Sequence, residues 1–495
     1  MNYSFKPNNC FKYALIILAA FLFLYQIYWI FNFPIWRDDA FFASVAKNLV
    51  NGDGFSAVFF DQDYKFHYGI SVGPALILPA AAMIFIFGNH YWAPELTAVL
   101  LIWVLLIAIL IASKEVVGEK RKWAFCFLTL FMMLFFSCSE EGVKLCLWVR
   151  LMGEIPASLL VILAALIFSF KNLDKSRLAS GGIMLGLALM TKTLSAISAS
   201  AILIMVTARI LFDRKPIMWI AIPVFCFVAP YFLFESIKII VLGWKDYLEL
   251  HQQNLNFYRT NAFFEKPFLS SVPSLVGYFG LAALTILPAT IYVVCSSGKK
   301  NFNSPHFLAG VSLLLASFLQ VSWWIIYGPQ FAFRYLSIGS CCFLAGIFLL
   351  ICKLEYKKQF QMFFVSAFIV SLLVSCPSEI ATMFNENPSL QEQKMVVEEI
   401  KTLQKQDFKM ISCGNNFELE YLLPKSRNFE ECTHFFESYV PQKAMLINFF
   451  TRPQKVLLVN HNQYMGKFIN LPNHILERCK EEYLTTANFS LLKCE

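Results

Sequence analysis

Long apolar runs separated by short charged clusters fill the first three quarters of the chain. Nearly charge-free runs occupy residues 13–33, 96–112, 123–138, 155–170, 179–194, 195–212, 217–241, 273–295, 306–327, 336–352 and 360–376. About 20 such residues, coiled as an α-helix, cross the hydrocarbon layer of a bilayer. The pattern predicts an all-α polytopic membrane protein with about 11 transmembrane helices. The alternating ten-residue segments of a membrane barrel are absent. Between the first two runs lies GPALILPAAAMIFIFG, Gly73 to Gly88, apolar but short and holding Pro74 and Pro79.

The basic residues decide how these runs thread the membrane. Lys6 and Lys12; Lys171, Lys175 and Arg177; Arg209, Arg214 and Lys215; Lys299 and Lys300; and Lys353, Lys357 and Lys358 fall on one side when the runs are counted off in order. The cluster Lys114, Lys120, Arg121 and Lys122 shares the side of Lys6 and Lys12 only if Gly73 to Gly88 lies along or dips into the opposite face without crossing. The positive-inside rule favours that arrangement, with a juxtamembrane or re-entrant piece in the first outer loop. Residues 34–95, 139–154, 243–272 and 328–335 then face outward, and so does the tail. The basic start of the chain leads into an apolar run too long for a signal peptide, with no small-residue cleavage site after it, so it reads as a retained first helix with a cytoplasmic N-terminus.

At Pro377 the pattern changes to that of a water-soluble segment. Val396, Val397, Ile400 and Leu403 recur at helical spacing, while Lys409 to Cys413 and Lys455 to Val459 read as strands. Two domains are expected: a transmembrane domain over 1–376, with its first outer loop at 34–95, and a small C-terminal α+β extracytoplasmic domain over 377–495. Composition agrees, at 58% hydrophobic, 16% aromatic and 15% charged, which excludes a large soluble protein. The net charge of +8 follows from the basic loops and implies no nucleic-acid partner. Of 14 cysteines, most sit in apolar runs as small hydrophobes. Cys413, Cys432, Cys479 and Cys494 lie in the tail, where an oxidising compartment would allow two disulfides in any of three pairings.

Candidate chemistry gathers at the outward ends of the runs. Asp38 and Asp39, in PIWRDDAFFASVAKNLVNGDGF, sit where the first span gives way to water. Ionised acids beside hydrocarbon are costly, which marks the pair as functional. The bland alternative is capping of the helix that follows. Successive helical residues point about 100° apart, so the two carboxylates cannot act from one face, and Asp39 takes the supporting role. Glu154, in RLMGEIPASLL, precedes a proline that can start a helix, and it reads either as a site acid or as a partner of the helix dipole. Lys192, in GLALMTKTLSAIS, falls at the mouth of a helical hairpin, and Arg334, in GPQFAFRYLSIG, at the entrance to a late span. Such residues usually snorkel, but outward-facing cations are also suited to a lipid phosphate. His67 and Tyr68 lie in an aromatic loop over the membrane surface. Glu140 and Glu141 read as solvated loop charges.

Together these segments resemble the glycosyltransferase C superfamily, especially the branch of the dolichyl-phosphate-mannose protein mannosyltransferases and the aminoarabinose lipid A transferase. The likeness rests on RDDAFFASVAKNLVNGDGF, ISVGPALILP, GEIPA, GLALMTK, FRYLSIG and the amphipathic HQQNLNFYR, which ends at Arg259. The acidic pair is Asp-Asp where the family more often has Asp-Glu, Phe41 or Phe42 stands where it usually has Tyr, and no twin-proline KPP precedes the juxtamembrane helix. The resemblance implies a membrane transferase that inverts the anomeric carbon as it moves a sugar from a polyprenyl phosphate to an acceptor on a glycolipid, polysaccharide or protein. In that case Asp38 is the general base, Glu154 the second-loop acid, Lys192 and Arg334 the phosphate contacts, and His67, Tyr68 and Arg259 line the loops over donor and acceptor. A divalent cation such as Mg or Mn, if one is used, would fall to Asp38, Asp39 and Glu154. A polymerase or ligase using lipid-pyrophosphate-linked sugars is the nearest alternative. A flippase or transporter would place acids at mid-span and show inverted repeats. A bacterial inner membrane, with the tail in the periplasm, is the expected location.

Overall fold

The computed structural model describes residues 9–32, 35, 37–59, 62–67, 69–118, 122, 125, 150–260, 304–327, 336–351, 388–406, 408–413, 421–423, 430–431, 456–461, 481–485 and 489–494. The runs at 273–295 and 360–376 and, apart from Phe125, the run at 123–138 lie outside them, as do Tyr68, Glu140, Glu141, Arg334, Cys432 and Cys479.

The described chain is mostly helical. Its first part holds α1 (Asn9–Asn32), α2 (Arg37–Val50), the hairpin β1 (Ser56–Phe59) and β2 (Gln62–Lys65), α3 (Pro74–Phe87) and α4 (Ala93–Val117). Then come α5 (Glu154–Phe168), α6 (Lys175–Thr191), α7 (Ser195–Phe212), a 3-10 turn at Ile217–Ile220, α8 (Ala221–Leu242), α9 (Trp244–Thr260), α10 (Pro305–Tyr327) and α11 (Ser337–Ile351). The helices Ala93–Val117, Ser195–Phe212, Ile217–Leu242 and Pro305–Ile326 are long and apolar enough to cross a bilayer, as an integral membrane protein requires. Exposed apolar side chains fit the same setting: α8 leaves Phe225, Phe232, Leu233 and Ile240 exposed, a surface suited to hydrocarbon.

α3 is apolar on both sides. Leu76, Ile77, Ala80, Ala81 and Ile84 are buried, while Leu78, Ala82, Phe85 and Ile86 are exposed. Its 14 residues reach about 21 Å, short of the ~30 Å hydrocarbon layer.

Helix ends are satisfied locally where they meet. Asp174 caps α6 by accepting from the Arg177 backbone N–H at 2.8 Å. Arg209 on α7 donates to the carbonyls of Phe168 and Phe170 at the end of α5 and pairs with Asp213 at 3.4 Å.

By close packing the described residues fall into two units, one drawn from 1–27, 68–79 and 96–383, the other from 28–67, 80–95 and 384–495. The second unit thus combines most of the segment between α1 and α4 with the tail. Its tail part contains α12 (Pro388–Gln404), β3 (Lys409–Cys413), β4 (Glu430–Glu431), β5 (Val456–His461), β6 (Glu481–Thr485) and β7 (Phe489–Cys494). The sheet order is β4-β3-β5-β7-β6; β3 runs parallel to β4 and β5, and β7 runs antiparallel to β5 and β6. α12 buries Val396, Val397, Ile400 and Leu403, the residues its spacing picks out, against Phe408, Leu423 and Leu491.

Candidate active site

In the second unit, Asp38 and Asp39 occupy the first turn of α2, where a carboxylate suits the positive helix end. The turn between neighbours separates them: Asp39 is fully buried, while Asp38 is half-buried and keeps a face open. The Asn51–Phe55 turn then closes the helix, with the Asp53 N–H donating to the Asn48 carbonyl at 2.9 Å. His67 follows β2, edge-on to Tyr64, and burial pushes its imidazole down to about 4, so it is neutral at pH 7.

In the first unit, segments distant in sequence meet at the hairpin mouth between α6 and α7. Val72 forms an antiparallel bridge with Lys192, and the Gly73 N–H donates to the Thr191 carbonyl at 3.1 Å. The approach is close enough that a Cβ on Gly73 would fall 2.1 Å from the Met190 carbonyl oxygen. On the other side, Gly153 precedes α5 at φ 85°, a left-handed backbone that suits glycine. This turn delivers Glu154 into the junction, where its Oε1 lies 3.0 Å from Lys192 Nζ. The same amine donates to the Met152 carbonyl at 3.1 Å and to Ser71 Oγ at 3.3 Å. Both charges are almost removed from solvent, with side-chain exposures of 6% for Lys192 and 1% for Glu154.

The structure therefore brings Glu154 and Lys192 together, while Asp38, Asp39 and His67 belong to the other unit. Arg259 falls near the end of α9. Tyr68 and Arg334 lie outside the described residues. Among the described residues no group of three or more His, Cys, Asp or Glu is gathered closely enough to hold a metal ion.

Two contributors are not evident from the sequence. Ser71 is an ordinary loop serine until the Val72–Lys192 bridge places its hydroxyl on the lysine. Lys47, in the last turn of α2, reads as a helix-end cation but is 4% exposed, with its amine donating to the carbonyls of Tyr421 and Leu423 at 3.1 and 2.6 Å.

No family model matches the chain, and no curated protein matches it. Solved structures do. ArnT from Cupriavidus metallidurans bound to undecaprenyl phosphate aligns with a TM-score of 0.59 at 11% identity, over 98% of this chain and 98% of that one. The same enzyme in the apo state aligns at 0.58 and 11% identity, over 98% of each chain. The oligosaccharyltransferase AglB from Archaeoglobus fulgidus, in complex with an inhibitory peptide and a dolichol-phosphate, gives 0.47 at 10% identity, over 90% of this chain and 69% of that one. At such identities the ArnT likeness establishes a shared fold that extends over nearly the whole of both chains.

Proposed function

We propose that the protein is a membrane glycosyltransferase that moves a sugar from a polyprenyl-phosphate donor to an acceptor hydroxyl at the outer face of the membrane. The observation that carries the reading is the junction of Ser71–Gly73, Met152–Glu154 and Lys192, which gathers a cation, a carboxylate and a hydroxyl at one mouth between helices. Departure of a lipid phosphate from an anomeric carbon develops negative charge on the phosphate, and a preorganised cation in a water-poor site stabilises it. The fold shared with ArnT, which binds undecaprenyl phosphate, supports a lipid-phosphate donor.

In the proposed reaction the acceptor oxygen attacks the anomeric carbon, the bond from that carbon to the phosphate oxygen breaks, and polyprenyl phosphate leaves with the bonding pair. The acceptor proton passes to Asp38, whose half-open position at the head of α2 leaves it reachable by an incoming hydroxyl. Asp39, fully buried beside it, supports the head of the helix. Lys192 orients Glu154 and meets the phosphate, which would share or replace the carboxylate at the amine. Access by a lipid is lateral, between helices.

The test is product formation by the full-length protein from polyprenyl-phosphate-linked sugars. Asp38→Asn is expected to leave folded protein with transfer reduced at least about 100-fold, the low end of what a general base contributes. Near-normal product from that variant would remove Asp38 from the role, and no transfer from any such donor by the wild type would remove the reaction.

A further inference from the structure

The tail and the first outer loop are joined by a buried contact that spans most of the sequence. Lys47 on α2 is 4% exposed, and its amine donates to the Tyr421 carbonyl at 3.1 Å and the Leu423 carbonyl at 2.6 Å. Leu423 is in turn part of the apolar cluster of α12 with Phe408 and Leu491, so the amine is tied to the body of the tail. A second bond runs alongside it, from the Tyr421 hydroxyl to the His90 carbonyl at 2.9 Å. Burial and the Glu95 carboxylate push that phenol up, so it stays protonated and keeps donating. α12 adds Lys394 over the Tyr91 ring at 4.9 Å, and Tyr91 donates to the Phe31 carbonyl at 2.7 Å.

Helix geometry connects this clamp with the proposed base. Lys47 lies nine residues after Asp38, and at 100° per residue nine steps amount to two and a half turns. The two side chains thus leave α2 on opposite sides, Lys47 toward the Tyr421 and Leu423 carbonyls. A contact that fixes the roll of α2 on one side therefore fixes the direction of the carboxylate on the other. A carboxylate about 6 Å from the helix axis moves about 1 Å for each 10° of roll. A misplacement of that size costs on the order of 100-fold in rate.

We infer that Lys47 is a positioning residue: it locks the roll of α2 onto the tail so that Asp38 is aimed at the acceptor, which makes the tail a working part of the transfer site. The inference rests on Asp38 being the base. Other attachments of the tail hold the two parts together, and Lys47 makes its bonds from α2 itself.

The experiment compares wild type, Lys47→Met and Lys47→Arg as full-length proteins in lipid nanodiscs. Transfer from a polyprenyl-phosphate-linked sugar is measured together with amide hydrogen exchange over Arg37–Val50. Lys47→Met is expected to lower kcat about 100-fold with the donor KM within about twofold, and to speed exchange in α2. Lys47→Arg, which keeps donors for both carbonyls, is expected to recover at least about tenfold of the lost kcat. If Lys47→Met does not yield monodisperse protein, Lys47→Gln, too short to reach the carbonyls, replaces it under the same criteria. A kcat within twofold of wild type, or a rise in KM with kcat preserved, overturns the inference. Should the wild type transfer no sugar from lipid-phosphate donors, the transferase reading falls on its own, and the clamp is then decided by exchange: unchanged exchange over Arg37–Val50 overturns it.

Discussion

Removing Lys192 should destabilise the protein more than removing its partner Glu154, and the asymmetry follows from the geometry. The pair is separated by 3.0 Å with side-chain exposures of 6% and 1%. At an effective dielectric constant near 20, that distance gives an attraction of about 5.5 kcal/mol, which the cost of desolvating both ions largely offsets. The intact pair thus adds little net stability, whereas one charge left alone in the site costs about 3–5 kcal/mol. Among the described residues neither Glu154 oxygen accepts a hydrogen bond, so the nearby Lys192 charge carries most of its compensation. Lys192 keeps the Met152 carbonyl and the Ser71 hydroxyl when the carboxylate is neutralised. Lys192→Met should therefore cost about 3–5 kcal/mol and Glu154→Gln about 1–3 kcal/mol, set against a folded-state margin of about 5–15 kcal/mol. In the double variant no charge is stranded, and at least about 1 kcal/mol of the Lys192→Met loss should return. Thermal unfolding followed by size-exclusion chromatography with fluorescence detection reads the order. A Lys192→Met protein as stable as Glu154→Gln, or a double variant whose loss equals the sum of the singles, would refute the reasoning.

Other expectations follow from single contacts. Gly73→Ala would place its Cβ against the Met190 carbonyl oxygen and should break the Val72–Lys192 bridge, seen as faster hydrogen exchange around residues 71–73 and 190–192. Asp174→Ala removes the cap of α6 and should cost about 1 kcal/mol in the same thermal assay. His67 stays neutral in the fold down to about pH 4, whereas its unfolded value is 6.5. Across that window the unfolded chain binds the extra proton, so stability should fall as pH drops from 6.5 towards 4, by at most about 1.4 kcal/mol per pH unit. His67→Gln should flatten that part of the stability–pH curve.

The apolar pattern locates most helices closely, because a buried or lipid-facing helix is written in contiguous local residues. The run at 306–327 becomes Pro305–Tyr327, and 195–212 becomes Ser195–Phe212. Glu154 and Lys192 were legible one at a time as outward-end charges. Their pairing was not, because it depends on a backbone approach at Gly73 and a left-handed turn at Gly153 that no local pattern encodes. The tail strands at Lys409–Cys413 and near Lys455–Val459 could be read from β-forming runs, but not the order in which β7 inserts beside β5. Least legible was Lys47. Its partners lie 374 and 376 residues away, and the acceptors are backbone carbonyls that leave no trace in residue type.

Contacts at the two junctions also constrain how the chain threads the bilayer. Lys192 Nζ bonds both Ser71 and the Met152 carbonyl, so residues 71 and 152 stand on one side of the membrane. The number of crossings between them must be even. α4 supplies one, being 25 residues long and apolar. If α3 crossed as well, the two helices would satisfy the parity between them; if α3 does not, the second crossing comes from elsewhere between the two residues. The 14 residues of α3 and its prolines favour the second arrangement. The same logic applies to the tail. The bonds from Lys47 to Tyr421 and Leu423 require an even number of crossings between residues 47 and 421. Single cysteines placed at the exposed Tyr64 and Met395 should therefore be labelled from one face by an impermeant thiol reagent, and one at Lys114, at the far end of α4, from the other. Labelling of positions 64 and 395 from opposite faces would contradict both the parity and the clamp, because a lysine side chain cannot reach its acceptors across the hydrocarbon layer.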